Sequence, residues 1–332
     1  MGATNLSGVS GSNGSERAPR AITYPYKRIE WVEATEARGP DPYGNPDPEP
    51  AWMGVDWQAH LHTAEVGEQR VNYAEIGEGP PIVFVHGLGG CWQNWLENMP
   101  AMAERGHRAI ALDLPGFGAS PMPSEDISIP GYAKLVGEFC AAIGVEGCTL
   151  VGNSMGGFIA AAVAVDEPTW VQRLVLVSAA GISHATMRKQ PIEVAARMTV
   201  AANPLLLKFD MPSMKRPGLR RIAFGGIVRH PLHLRPELLL EQMVNGFAAP
   251  GVVPAAVALT GYDLLDRLER IHIPTLIVWG RDDLVVPASD ATGYAERIDG
   301  SQLVVFDDCG HVAMLERPVR FNRLLGEFTA AA

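Results

Sequence analysis

Six short apolar runs constrain this chain more than any other feature. They are PIVFVH (81–86), RAIALD (108–113), CTLVGN (148–153), RLVLVSA (173–179), TLIVWG (275–280) and QLVVFD (302–307). Each is too short for a core helix and too continuously apolar for a strand with one wet face, so each reads as a strand buried on both faces. Helical stretches at 92–105, 129–143, 155–165 and 288–298 separate most of them. Repeated strand–helix–strand units of this kind build an open, mostly parallel sheet with helices on both faces, an α/β fold. Ahead of the first run, HLHTAEV and RVNYAEIG alternate polar and apolar residues and read as an antiparallel pair turning at Gly67. No internal repeat is evident.

The rhythm stops between Ala179 and Ile273, where no convincing strand occurs. Helical segments such as PIEVAARMTVAA (191–202) and RPELLLEQMVNGF (235–247) fill the gap. An insertion at the carboxyl end of a strand, where α/β sheets bind ligands, reads as a helical cap over a site. The organisation expected is an N-terminal extension at 1–57, a core of 58–182 and 262–332, and a cap at 183–261. Residues 1–20, rich in Gly, Ser and Asn, read as disordered. GPDPYGNPDPEP (39–50) is too rich in proline for a regular element. Tyr24, Tyr26 and Trp31 between them could pack on the domain surface, with no chemistry assigned.

Charge and cysteine usage narrow the partners. With 27 basic against 37 acidic residues the formal charge is −10, the wrong sign for a phosphate-binding surface, so no nucleic acid is expected. Cys91, Cys140, Cys148 and Cys309 are scattered without a CxxC pair and read as free thiols. The first twenty residues lack a basic stretch followed by an apolar one, and no apolar run approaches the roughly 20 residues of a membrane span. The expectation is a soluble, cytoplasmic protein acting on a small molecule. No cofactor or metal is expected. His60 and His62 share a strand face without a third ligand nearby, and HGLGG (86–90) has neither dinucleotide nor P-loop spacing.

The third run ends in VGNSMGG (151–157), directly before an apolar helix. A serine at the carboxyl end of a core strand can reach a substrate only if a sharp strand-to-helix turn projects its hydroxyl. The chain there passes so close to its neighbours that side chains two residues before and after would clash, and Gly152 and Gly156 relieve this. Gly152-Asn153-Ser154-Met155-Gly156 thus reads as a G-x-S-x-G nucleophile elbow, with Ser154 as nucleophile. A base and an acid should follow in the order Ser, Asp, His. His311 lies just past the last strand, and the turn after TLIVWG offers Asp282 or Asp283. The oxyanion donors expected are the N–H of Met155 and, from the HGLGG loop, that of Leu88. His86 reads as an anchor of that loop. His230 and His233 read as ordinary solvated or packing side chains. Trp92 and Trp95 read as core packing, Trp92 also as a possible border of the pocket.

HGLGG, LDLPGFGAS (112–120), GNSMGG, GRDDLVVP and GHVAMLERP (310–318) occur in the order found in the α/β-hydrolase superfamily, which this chain resembles over roughly residues 60–330. The resemblance implies an eight-stranded, mostly parallel sheet with a cap after the sixth strand. It also implies Asp283 rather than Asp282 as the acid, and a structural place for Asp113. Serine at the elbow argues against dehalogenases and epoxide hydrolases of this fold, which carry aspartate there. GNSMGG is similar to the elbow of meta-cleavage-product hydrolases, which cleave carbon–carbon bonds. That family implies a cap arginine and a tryptophan after the histidine, where this chain has Gln242 and Val312. The stretch 195–214 is dominated by apolar residues, with Arg197 and Lys208 the cations that could oppose this reading. The function expected is hydrolysis of carboxylic esters of small, largely apolar substrates through an acyl-enzyme. The alternatives are carbon–carbon hydrolysis and a non-catalytic ligand receptor on the same fold.

Overall fold

The structure is a computed structural model and describes residues 41–166, 168–183, 211–244 and 249–330. The expectations for residues 1–40, for the segment 191–202 and for Arg197 and Lys208 lie outside the described residues. The eight strands are β1 (Leu61–Val66), β2 (Gln69–Ile76), β3 (Pro81–Val85), β4 (Arg108–Leu112), β5 (Cys148–Asn153), β6 (Val171–Val177), β7 (Thr275–Gly280) and β8 (Gln302–Phe306). They form one sheet in the order β1-β2-β4-β3-β5-β6-β7-β8. β2 is antiparallel to both of its neighbours, and the remaining pairs are parallel.

Alternation along each strand builds two apolar layers. In β3, Val83 and Val85 enter one core while Ile82 and Phe84 enter the other. Helices α2 (Ile129–Ala142) and α3 (Met155–Ala164) cover the first layer through residues such as Phe139 and Phe158. Helix α1 (Met99–Ala103) covers the second layer through Met99 and Met102. Helix α3 is buried along its whole length, which explains why its residues are apolar on every side. Between β6 and β7 the described chain forms α4 (Met211–Met214), α5 (Pro217–Phe224), α6 (Pro236–Val244) and α7 (Val252–Ala258). Met214, Phe224, Val228, Leu234 and Leu239 give this insertion a small core of its own. Helices α8 (Ala288–Ala295), α9 (Ala313–Glu316) and α10 (Pro318–Ala330) complete the described chain. Among the described residues, no helix is long and apolar enough to cross a membrane.

Two elements differ from the sequence reading. The stretch 92–105 is not one helix. A 3₁₀ turn at Trp92–Trp95 gives way to α1, with Pro100 in its first turn. Proline has no N–H to donate to a preceding turn, so the helix restarts just before it. The Asn98 side chain between the two pieces donates to Met314 O and Asn322 Oδ1. The end of the N-terminal extension is also more firmly held than its prolines suggest. Trp52 is buried and its indole N–H donates to Glu97 Oε1 at 3.0 Å, while Tyr43 donates its hydroxyl proton to Glu316 Oε2 at 2.5 Å.

Removing the Trp52 ring should therefore act as a core truncation. Trp52→Ala should lower unfolding free energy by about 3 kcal/mol, measured by urea denaturation. A loss well under 1 kcal/mol would show that residues 41–57 lie on the domain without contributing to it.

Candidate active site

The elbow is built by backbone crowding. Ser154 has φ 56° and ψ −118°, a left-handed conformation rare for a residue with a side chain. A side chain at Gly152 would run into the Gly156 carbonyl, and one at Gly156 into the carbonyls of Val85 and His86. The strands and α3 therefore meet at van der Waals distance, and the serine turns out of the sheet. Its backbone remains fully used: the Ser154 N–H donates to Val177 O, and its carbonyl accepts from Phe158 and Ala180 N–H groups. Met155 opens α3 next to it, so its N–H is among the first-turn donors that have no acceptor within the helix.

The loops after β7 and β8 bring a carboxylate to a histidine. His311 Nδ1 lies 2.8 Å from Asp283 Oδ2, and Asp283 Oδ1 accepts from the Val285 and Val286 N–H groups at 2.8 and 2.9 Å. A carboxylate in this position accepts, so Nδ1 carries the proton and Nε2 is left with its lone pair. The structure separates the two candidate acids. Asp282 turns instead toward the Arg229 guanidinium, 3.6 Å away at the surface. Ser154 and His311 line the same cavity, with no hydrogen bond directly joining them. Contacts of this kind commonly tighten in the substrate complex.

His86, at the end of β3, does the opposite work. Its Nε2 lies 3.0 Å from the Leu114 N–H, which can only donate, so Nδ1 must carry the proton given to Gly87 O at 2.8 Å. Complete burial favours the neutral ring and pushes its pKa down to about 4. The ring ties the Gly87–Gly90 loop to the loop after β4, and Leu88 on it faces the cavity. Asp113, 1% exposed, accepts from the N–H groups of Trp92 and Ala119 and from Asn72 Nδ2, a wholly internal set of bonds.

The cavity above Ser154 has a volume of about 260 Å³. The insertion contributes Phe224, Ile227, Val228, Leu239, Gln242 and Leu259, and the core contributes Val285, Val312 and Leu315. Its polar groups besides Ser154 and His311 are Asn94, Asn153 and Gln242, and no lysine or arginine lines it among the described residues. Gln242 is itself committed: its Oε1 accepts from Asn94 Nδ2, and its Nε2 donates to Gln93 O.

A family model described as alpha/beta hydrolase fold matches residues 80–318. The chain belongs to the α/β-hydrolase family. It is 29% identical to the 2-hydroxy-6-oxo-6-phenylhexa-2,4-dienoate hydrolase of Comamonas testosteroni, over 81% of this chain and 94% of that protein. It is 28% identical to monoacylglycerol lipase ABHD6 of Bos taurus, over 77% of each. Among solved structures, Est816, an N-acyl homoserine lactone degrading enzyme, matches with TM-score 0.65 and 29% identity, over 80% of this chain and 100% of that one.

Two residues of this hydrolase's site escaped the sequence reading. Glu316 is completely buried and accepts from the N–H groups of Gly310, Val312 and Arg229 as well as from Tyr43. It brackets His311 on both sides and ties its loop to the insertion and to the extension. A lone acid among apolar residues in AMLE was the available signal. Asn153 donates from Nδ2 to Val177 O and to His311 O, so it links the elbow to the histidine loop. Other expectations resolve as geometry. Trp92 borders a cavity, but a different one from that of Ser154. Trp95 packs on Phe84 with ring centroids 4.8 Å apart. His60 Nδ1 lies 3.0 Å from Glu75 O, and His62 packs on Tyr73. His230 Nε2 pairs with Asp308 at 2.6 Å, and His230 stacks on His233. All four cysteines are free and buried. Among the described residues, no three His, Cys, Asp or Glu side chains are placed to hold a metal.

The depressed pKa of His86 has a sign that can be tested. From its ordinary 6.5 down to about 4, the unfolded chain binds a proton that the folded hydrolase excludes. Stability should thus fall as pH drops through that window, by about 3 kcal/mol if the whole difference is expressed. His86→Gln should flatten the slope of unfolding free energy between those pH values. An unchanged slope would show that His86 is not held neutral.

Proposed function

We propose that this hydrolase cleaves carboxylic esters of small, largely apolar substrates through a covalent acyl-enzyme on Ser154. The observation carrying the reading is the buried Asp283–His311 pair, whose histidine lines an apolar cavity together with a strained, outward-turned serine. Ser154 Oγ attacks the acyl carbonyl as His311 Nε2 takes its proton. Asp283 keeps the ring in the required tautomer and stabilises the imidazolium. The Leu88 and Met155 N–H groups receive the oxyanion, aided by the amino-terminal end of α3. His311 then protonates the leaving alcohol, and water admitted in its place hydrolyses the acyl-enzyme. Asn153 and Glu316 act as positioning residues through the backbone of the histidine loop.

The choice of ester over carbon–carbon cleavage rests on the cavity wall. A dienoate is an anion, and the described lining carries amides where such a substrate calls for a cation. Burying the carboxylate among Phe224, Ile227 and Val312 without a counter-charge would be costly. An acyl chain fits the same wall, at about 25 cal/mol per Å² of apolar surface buried. The dienoate hydrolase of Comamonas testosteroni makes carbon–carbon cleavage the second reading.

Turnover of short and medium p-nitrophenyl esters is therefore expected, with little cleavage of 2-hydroxy-6-oxo dienoates. Faster cleavage of a dienoate than of any ester would reverse the assignment. Ser154→Ala should lower kcat by about 10⁶-fold. Asp283→Asn should cost about 10⁴-fold, with Asp282→Asn far milder. Equal losses from the two asparagine variants would place the acid elsewhere.

A further inference from the structure

A second cavity lies away from Ser154 and has no part in the chemistry above. Its volume is about 540 Å³. Its walls come from three parts of the chain: Trp52 and Trp57 from the extension, Trp92 and Gln93 from the 3₁₀ turn after β3, and Glu241 from α6, with Asp113 beside them. The Trp57 and Trp92 rings stand 5.0 Å apart at 47°, forming an open corner. The Trp57 N–H donates to Trp52 O and the Trp52 N–H to Glu97, so the polar edges of both indoles are engaged by protein. The charges along the wall are all of one sign. Asp113 and Glu241 contribute carboxylates, and no lysine, arginine or histidine lines the cavity among the described residues.

One charged group in this wall has no partner among the described residues. Glu241 is half-buried and forms no hydrogen bond or ion pair among the described residues, although burial raises its pKa. An unpaired half-buried carboxylate is costly unless a ligand supplies a cation. Indole faces attract cations most strongly of the aromatic rings, particularly alkylated ones that shed their water easily. A hydrated metal ion would gain little from such walls, and an anion would meet only negative charge.

We infer that this cavity is a second binding site, taking a small alkylated ammonium ion between the Trp57–Trp92 corner and the Glu241 carboxylate. The site stands back to back with the catalytic cavity. Gln93 lines the one and its carbonyl receives Gln242 Nε2 from the other, while Glu241 and Gln242 are successive residues of α6. It does not depend on the ester assignment, because it shares no lining residue with the cavity of Ser154.

Choline and its uncharged isostere 3,3-dimethylbutan-1-ol separate charge recognition from apolar fit. Titration of the full-length protein at constant ionic strength, followed by tryptophan fluorescence and calorimetry, should show saturable choline binding. The neutral alcohol should bind about tenfold more weakly. Glu241→Gln should weaken choline about tenfold at an unchanged melting temperature. Trp57→Leu, at a half-buried ring, checks the same site should Glu241→Gln fail to fold. Absence of saturation by roughly 50 mM choline, equal affinity for the neutral alcohol, or undiminished binding in a folded variant would overturn the inference.

Discussion

The backbone of Ser154 is the constraint on which the rest of the site depends. A left-handed serine costs on the order of 1–3 kcal/mol and persists only where its surroundings over-determine it. Here three backbone hydrogen bonds, from β6, the following loop and α3, hold it in place. The absence of side chains at Gly152 and Gly156 lets β3, β5 and α3 close around it. Burial of the strands on both faces supplies the rigidity. The same crowding that strains the serine also aims it, and it fixes where the β3 loop must pass.

Two histidines at the ends of two strands show how neighbours divide labour between identical side chains. His86 lies between a backbone donor and a backbone acceptor, so its proton is locked on Nδ1 and both nitrogens are consumed. His311 meets one carboxylate and leaves its second nitrogen to the cavity. Neither difference is visible in the residue itself. Glu316 adds a second level of order, since one carboxylate gathers the histidine loop, the insertion and Tyr43 of the extension. Burial raises its pKa, while the donors around it favour the charged form.

Much of this was legible in the chain, for identifiable reasons. Strands such as PIVFV and TLIVWG announce themselves because double-sided burial leaves no polar position. The elbow was legible because close approach of backbones demands glycine at fixed offsets from the serine. The helix at 92–105 misled because its apolar spacing suits a helix while Pro100 dictates where the α-helical turn begins. Trp52 and Tyr43 were hidden because the prolines around them signal irregular backbone, which can still be pinned by side chains reaching into the core.

The sequence by itself determined the α/β class, the succession of strands along the chain and the candidates Ser154, His311 and an aspartate in the turn after β7. Local pattern suffices for these, because periodicity and glycine placement are properties of neighbouring residues. The residues alone left Asp282 and Asp283 open and the family resemblance favoured Asp283; only the tertiary structure shows Asp283 against His311 and Asp282 against Arg229. It alone placed Trp92 in a cavity separate from that of Ser154, and joined Glu316 to Tyr43 across 273 positions. Such choices depend on which distant segments come within hydrogen-bonding reach, and no short-range pattern in the chain encodes that.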